Sequence, residues 1–235
     1  MKQLVLGLAL EAEPGLDATV PGRNTELLST LQALVAGHLP EPWVYLWGEP
    51  GAGRTHWLRA ARREAARLGR GVVEWSAGAD PPPGGLITVD DVESLPAESQ
   101  VRLFNALNRA RDGDFQCLVA GNAPPAQLVV RDDVRTRLGA SLVYRVHPLD
   151  DEHKAQVLER LAAARGFDLP PDVARYLLTR GERDLPALVR SLDLLDRASL
   201  ERHRPLTVPL LREAFRESGA EAPPDAASPA VAAER

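Results

Sequence analysis

Gly48-Glu49-Pro50-Gly51-Ala52-Gly53-Arg54-Thr55 is the stretch on which the reading of this 235-residue chain turns. It fits G-x-x-x-x-G-K-[ST] at every position but one, with arginine where lysine is usual. Its flanks are those a phosphate loop requires. Trp43 to Trp47 is a short apolar run of strand character, and Trp57, Leu58, Ala61, Ala65 and Leu68 line one helical face until Gly69 ends it. Glycines between strand and helix let backbone N–H groups turn inward as an anion nest, and the helix directs its positive end at the same place. Gly48, Gly51, Gly53 and Arg54 are therefore candidates to hold phosphate, and Thr55 to offer its hydroxyl to Mg²⁺. Arginine can hold phosphate, but its forked geometry is not that of a lysine ammonium. The alternative is a glycine-rich connection with no ligand.

Outward from this loop the pattern recurs. Val72 to Trp75, Leu86 to Val89, Cys117 to Ala120 and Leu142 to Val146 read as buried strands, which with Trp43 to Trp47 predict a parallel five-stranded sheet. Leu86-Ile87-Thr88-Val89 ends in Asp90 and Asp91, as a Walker B strand does. Asp90 is the candidate to hold Mg²⁺ through water and Asp91 the candidate to polarise an attacking water. Acidic pairs at strand ends also serve as helix caps. A helix is expected after Pro21-Gly22, with Asn24 as N-cap and Leu27, Leu28, Leu31, Leu34 and Val35 at helical spacing. Ser76 to Gly85 reads as a loop. Beyond Pro148 the texture is helical, roughly 151 to 165, 172 to 180, 184 to 199 and 208 to 217. These patterns predict an arm over 1–20, an α/β nucleotide-binding domain over 21–148, a helical subdomain over 149–217 and a disordered tail over 218–235.

Bulk properties narrow the function. A chain that is 44% hydrophobic and 26% charged can build one substantial core and a smaller appendage. A net charge of −5 without a long basic run disfavours gripping DNA phosphates directly. One cysteine, Cys117 in an apolar run, excludes an intrachain disulfide, and the five histidines show no metal-ligand spacing, so no structural zinc is expected. Leu4 to Leu10 after Met1-Lys2-Gln3 imitates a secretory leader poorly, because Glu11-Ala12-Glu13-Pro14 lacks a small-residue cleavage pattern. A cytoplasmic protein without membrane segments is expected.

Several segments resemble the DnaA-related family of AAA+ P-loop ATPases, over about residues 2 to 217. Gln3-Leu4-Val5-Leu6-Gly7-Leu8 looks like the peptide by which members of this group dock on the replicative β sliding clamp, with Gln3 as anchor and Leu4, Leu6 and Leu8 as apolar contacts. An ordinary edge strand would look the same. Val20-Pro21-Gly22-Arg23-Asn24 resembles the segment near the adenine, which makes Asn24 a candidate nucleotide contact. The arginine of the phosphate loop itself occurs in short members of the family. Val119-Ala120-Gly121-Asn122 resembles the sensor 1 strand, with Asn122 as the polar sensor, unless it is simply a turn residue before prolines. Val134-Arg135-Thr136-Arg137-Leu138 resembles the arginine-finger region, with Arg137 at the finger position; the alternative is a surface arginine on a short helix.

The run from Gly166-Phe167-Asp168-Leu169-Pro170 through Leu192 to Ser199 and on to Leu206-Thr207 is similar to the lid subdomain of the family's short regulators. Two departures stand out. Pro186 occupies the position of the sensor 2 arginine, with Arg183 nearby as a substitute, and the Ser76–Gly85 loop is shorter than the family's usual insertion. The resemblance implies an AAA+ three-layer α/β fold followed by an all-helical lid, binding of ADP or ATP with Mg²⁺, and DnaA and the clamp as partners. DNA would be reached only through the clamp, and self-association into a homo-oligomer stays open. The implied function is a negative regulator of replication initiation that stimulates hydrolysis of DnaA-bound ATP. The alternative is a self-turning ATPase that loads or remodels a replication machine.

Overall fold

The computed structural model describes residues 15–75, 83–180 and 184–218. Gln3, Leu4, Leu6 and Leu8, most of the Ser76–Gly85 loop, Arg183 and the expected tail after Ser218 lie outside the described residues. The chain divides into two compact units, the first ending at Pro148 and the second beginning at Leu149.

The first unit is an α/β layer structure. Strands β1 (Trp43–Trp47), β2 (Val72–Glu74), β3 (Leu86–Val89), β4 (Gln116–Gly121) and β5 (Leu142–Arg145) form one sheet in the order β2-β3-β4-β1-β5. Every pairing is parallel. The side-chain period of two divides the central strands β1, β3 and β4 between two cores, while the edge strands β2 and β5, which the sequence read as buried, are only partly so. Val44, Leu46, Leu86, Leu118 and Ala120 face one cluster, which α1 (Thr25–Val35) covers with Leu27, Leu31 and Leu34, and α2 (Arg54–Arg67) with Trp57, Leu58, Ala61 and Ala65. Tyr45, Ile87, Val89, Cys117 and Val119 face the other, covered by Leu103 and Leu107 of α3 (Ala97–Arg111) and by Val134 and Leu138 of α4 (Asp132–Gly139). Burial on both faces explains why the strands read as continuous apolar runs. Each fully buried leucine contributes about 1.5–3 kcal/mol. Cys117 is free and completely enclosed, and burial pushes its thiol well above the ordinary range.

Of the arm expected over 1–20, only the end is described: Leu16–Ala18 forms a 3-10 turn with Leu16 buried in the α1/α2 core. Thr19 and Val20 are buried as well, and the Thr19 hydroxyl donates to the Gly15 carbonyl at 2.9 Å. Asn24 stands at the N-cap position of α1 but makes no capping bond. Its amide is engaged elsewhere, as described below.

The second unit is helical: α5 (Asp151–Ala164), α6 (Pro171–Arg180), α7 (Leu185–Arg202) and α8 (Val208–Ser218). Leu188, Leu192, Leu195 and Ala198 of α7 recur at helical spacing and pack with Leu158, Leu177, Leu210 and Leu211. Because that stripe continues, α7 runs three residues beyond the predicted stop and ends at His203, which adopts the left-handed conformation (φ 53°). Pro186 sits in the first turn, where a missing N–H costs nothing, and Asp184 caps the turn by accepting from the Ala187 N–H at 2.7 Å. No helix among the described residues is long and apolar enough to cross a membrane.

One arginine holds the far end of the sheet together. Arg70 donates to the carbonyls of Leu34 and Val35 at the end of α1, to those of Gly84 and Gly85 before β3, and to the Gln116 side chain of β4. Replacing Arg70 with methionine keeps the stem and leaves the carbonyls without their donor, so the first unit should lose about 2–4 kcal/mol. All four tryptophans (Trp43, Trp47, Trp57 and Trp75) lie in that unit, and a urea titration followed by tryptophan fluorescence measures the loss there alone.

Candidate functional site

The strand order puts β1 between β4 and β5, with the chain leaving β1 toward β2 on one side and reaching β5 on the other. Ligands of open α/β sheets bind at such a switch point, outside the carboxyl ends of the strands. The glycine loop begins there. Gly48 follows β1 directly and is buried, with the Val146 carbonyl 2.9 Å from where a Cβ would stand. Gly51 and Gly53 have φ of +79° and +102°, conformations that an L side chain resists, and they bring the chain into α2 at Arg54. The resulting turn presents backbone N–H groups and the N-terminus of a 14-residue helix to one point.

Four of the predicted side chains meet at that point. The Thr55 hydroxyl donates to Asp90 Oδ2 at 2.7 Å, which places an alcohol and a carboxylate side by side where a hydrated divalent cation needs oxygen ligands. Arg54 Nη2 lies 3.4 Å from Asp91 Oδ1. Asp91 is held in the left-handed region at φ 42°, and its N–H donates to Asp90 Oδ1 at 3.0 Å, so the two carboxylates diverge from one turn. Arg54 Nη1 is buried with no hydrogen-bond partner among the described residues. An orphaned guanidinium N–H beside a glycine cradle is what a phosphate-binding site requires, and the residues fit a nucleotide with Mg²⁺. Gly51, Gly53 and Arg54 would hold its phosphates, and Thr55 with Asp90 its metal.

Asn122 follows the last pair of the β1/β4 ladder, Trp47↔Gly121, so it emerges beside the start of the glycine loop. Its side chain is exposed, and its N–H donates to Glu93 Oε2 at 3.3 Å. Neither Glu93 nor Tyr45 stands out in the sequence. The Tyr45 hydroxyl, at the centre of β1, donates to the Ala123 carbonyl at 2.7 Å and fixes the turn that carries Asn122. Gly121 permits this, since a Cβ there would meet the Tyr45 oxygen at 2.4 Å. The only hint is a tyrosine in an otherwise apolar strand. Burial, and then the charge of Glu93, drive the Tyr45 hydroxyl far above the usual phenol range. On the β5 side, Arg145 lies over the Trp47 ring at 5.2 Å and reaches Glu49 of the glycine loop at 3.3 Å.

Two candidates are placed otherwise. The Asn24 amide donates to the carbonyls of Pro21 and His147, each at 2.9 Å, and its oxygen accepts from the His147 N–H at 2.7 Å. It is a buried clasp between residues 21 and 147, and both amide hydrogens are already engaged. Arg137 is remote from the phosphate cluster. Its carbonyl accepts from the Trp43 indole N–H at 3.1 Å, at the opposite end of β1 from the glycine loop, and its guanidinium lies over the Phe104 ring at 5.7 Å. The two ends of that strand are about 13 Å apart.

Comparison with known proteins adds the family of the second unit. The profile of the Hda lid domain matches residues 151–215. The helical unit is similar to the Hda lid domain. The whole chain is similar to domain III of the Thermotoga maritima replication initiation protein DnaA, at 16% identity, covering 86% of this chain and 95% of that one with a TM-score of 0.72. AMPPCP-bound DnaA from Aquifex aeolicus is 22% identical over 83% of this chain and 69% of its own, with a TM-score of 0.63. The Thermotoga maritima RuvB Holliday junction branch migration motor is 13% identical over 82% of this chain and 67% of its own, with a TM-score of 0.63. At these identities the likeness is one of fold: a five-stranded parallel AAA+ sheet followed by a helical lid. The expected fold class, and the resemblance to the DnaA-related family with an Hda-type lid, are both borne out.

Tyr45→Phe removes one buried hydrogen bond and should cost about 1 kcal/mol near pH 8. The penalty should shrink as pH rises past about 10, where the unfolded wild-type tyrosine ionises while the folded one stays protonated, so that wild type loses about 1.4 kcal/mol per pH unit from this group. Urea titrations of both proteins at pH 8, 10 and 11 check this. A constant difference would remove Tyr45 as a buried neutral donor.

Proposed function

We propose that this chain is an Hda-type regulator of replication initiation, which binds a nucleotide through its own phosphate loop and presents Arg137 to the ATP held by DnaA. The position of Arg137 carries the reading. An arginine serving its own nucleotide would belong with Arg54 and Asp91, whereas this one is tethered by its carbonyl to the far end of β1. It is half-exposed and rests on Phe104, which pre-orients the guanidinium without neutralising it. A trans arginine that stabilises charge on a transferring phosphoryl group contributes about 10³ to 10⁵ in rate. The lid's family supports DnaA as the partner.

In this reading Gln3, Leu4, Leu6 and Leu8 dock the chain on the β sliding clamp loaded on DNA, so DNA is met only through the clamp, in the cytoplasm. The nucleotide is ADP or ATP with Mg²⁺. Gly48, Gly51, Gly53, Arg54 and Thr55 hold its phosphates and Thr55 and Asp90 its metal, with Asn122 as the polar sensor and Arg183, outside the described residues, as the candidate substitute for the missing sensor 2 arginine. Asn24 contributes by clasping His147 rather than by touching the base. Pro186 in place of a sensor 2 arginine, which removes one cation from the lid, favours the ADP form. Bound Mg²⁺-nucleotide supplies the ordered, charged site that makes this chain competent to face DnaA. The outcome is hydrolysis of DnaA-bound ATP and an end to initiation.

The deciding measurement is hydrolysis of ATP preloaded on purified DnaA, with this protein and ADP, with and without clamp-loaded DNA. Acceleration should depend on the clamp and disappear with Arg137→Ala and with Gln3→Ala. No acceleration, together with brisk ATP turnover by this chain alone, would make it a self-turning loader or remodeller instead.

A further inference from the structure

We infer that Arg54 is a positioning residue that ties Asp91 to the bound nucleotide's phosphate and thereby silences this chain's own hydrolysis. The inference rests on the nucleotide-site reading above and goes beyond it by assigning a role to the arginine itself. Arg54 is deeply set, its side chain 13% exposed, while Asp91 is 57% exposed. The guanidinium therefore stays in place, and the carboxylate comes to it. One arm of the fork, Nη2, is engaged at 3.4 Å by Asp91 Oδ1. The other, Nη1, is buried with no partner among the described residues, on the residue that directly follows the Gly51–Gly53 turn. A guanidinium has donors on several edges of one plane and can serve a phosphate oxygen and a carboxylate together. A lysine ammonium at this position is a point charge without the fork.

The consequence falls on Asp91. To assist hydrolysis a carboxylate must accept a hydrogen bond from the attacking water with its charge undiminished. Asp91 faces a cation instead, and its left-handed backbone (φ 42°), together with the N–H bond to Asp90, fixes the direction in which its carboxylate leaves the chain. The chain retains a complete pair of Walker B carboxylates but commits the second to an ion pair. That suits a protein whose bound nucleotide is a structural element rather than a fuel.

The experiment uses the full chain, as wild type, Arg54→Lys, Asp91→Asn and the double variant. ADP affinity is measured by calorimetry with Mg²⁺, and ATP turnover under single-turnover conditions with ATP bound to saturation. Arg54→Lys should leave ADP affinity within about tenfold of wild type and raise turnover by at least about tenfold, a gain that Asp91→Asn in the same chain abolishes. Asp91→Asn alone should tighten ADP binding severalfold, because Nη2 is released to the phosphate; in the Arg54→Lys background that tightening should be absent. The affinity readout stands even where turnover is too slow to follow. Arg54→Lys that binds ADP well yet turns over no faster, or Asp91→Asn effects on affinity that are the same in both backgrounds, would overturn the latch and leave the nucleotide site intact. Absence of ADP binding by folded wild-type protein would overturn the site reading itself.

Discussion

The hydrogen bond from Thr55 to Asp90 can form only in a sheet where β1 and β3 run parallel with a single strand, β4, between them. Two inter-strand spacings separate the carboxyl ends of β1 and β3 by about 10 Å. The glycine loop and the first turn of α2 must carry Thr55 back across the end of β4 to meet Asp90. Gly51 and Gly53 supply the left-handed backbone for that return, and the small residues at the end of β4, Ala120 and Gly121, leave room beneath it. Every other feature of the site follows from this crossing. Arg54 is carried inward with Thr55 and Asp91 is aligned with Asp90, while Asn122 emerges where β4 ends.

The core enforces the same geometry from both faces. Tyr45 and Leu46 are consecutive residues of β1 that point to opposite cores, and a one-residue slip would exchange a hydroxyl with an alkyl group in both. The Tyr45 oxygen has one place to go, the Ala123 carbonyl, which it reaches only because Gly121 has no side chain. Register in the sheet is thus locked by a polar group, next to the turn that presents Asn122. At the other end of the sheet Arg70 has the corresponding role, satisfying carbonyls where α1, β3 and β4 begin or end. Both devices lie in loops and strand ends, where hydrophobic burial alone would leave the backbone free to shift.

Much of this is legible in the residues. The central strands, the glycine loop and the acidic pair appear as local patterns, because burial on both faces makes a parallel strand a continuous apolar run and a phosphate-loop motif has particular residues at fixed spacing. The lid helices are legible through the stripe Leu188, Leu192, Leu195 of α7. What escapes depends on contacts far apart in the chain. Asn24 looks like a helix cap because its neighbours are those of a cap, yet its partner is His147, 123 positions away. Leu16 follows Pro14-Gly15 and reads as part of an extended arm, and only the groove between α1 and α2 makes it core. Glu93 and Tyr45 look ordinary in sequence because their meaning lies in a turn after another strand.

Two arginines at opposite ends of β1 illustrate how one residue type is set in two different electrostatic surroundings. At the carboxyl end, Arg54 is sunk beside the glycine loop with a carboxylate within reach, so its charge is already committed inside the molecule. At the amino end, Arg137 has an aromatic ring instead of an acid beneath it, and its neighbour Arg135 takes Asp132 at 2.7 Å, leaving that carboxylate engaged one turn away. A ring face orients a guanidinium at little cost to its charge, whereas a carboxylate cancels it. One cation is thus paired with a carboxylate, while the other rests on a ring.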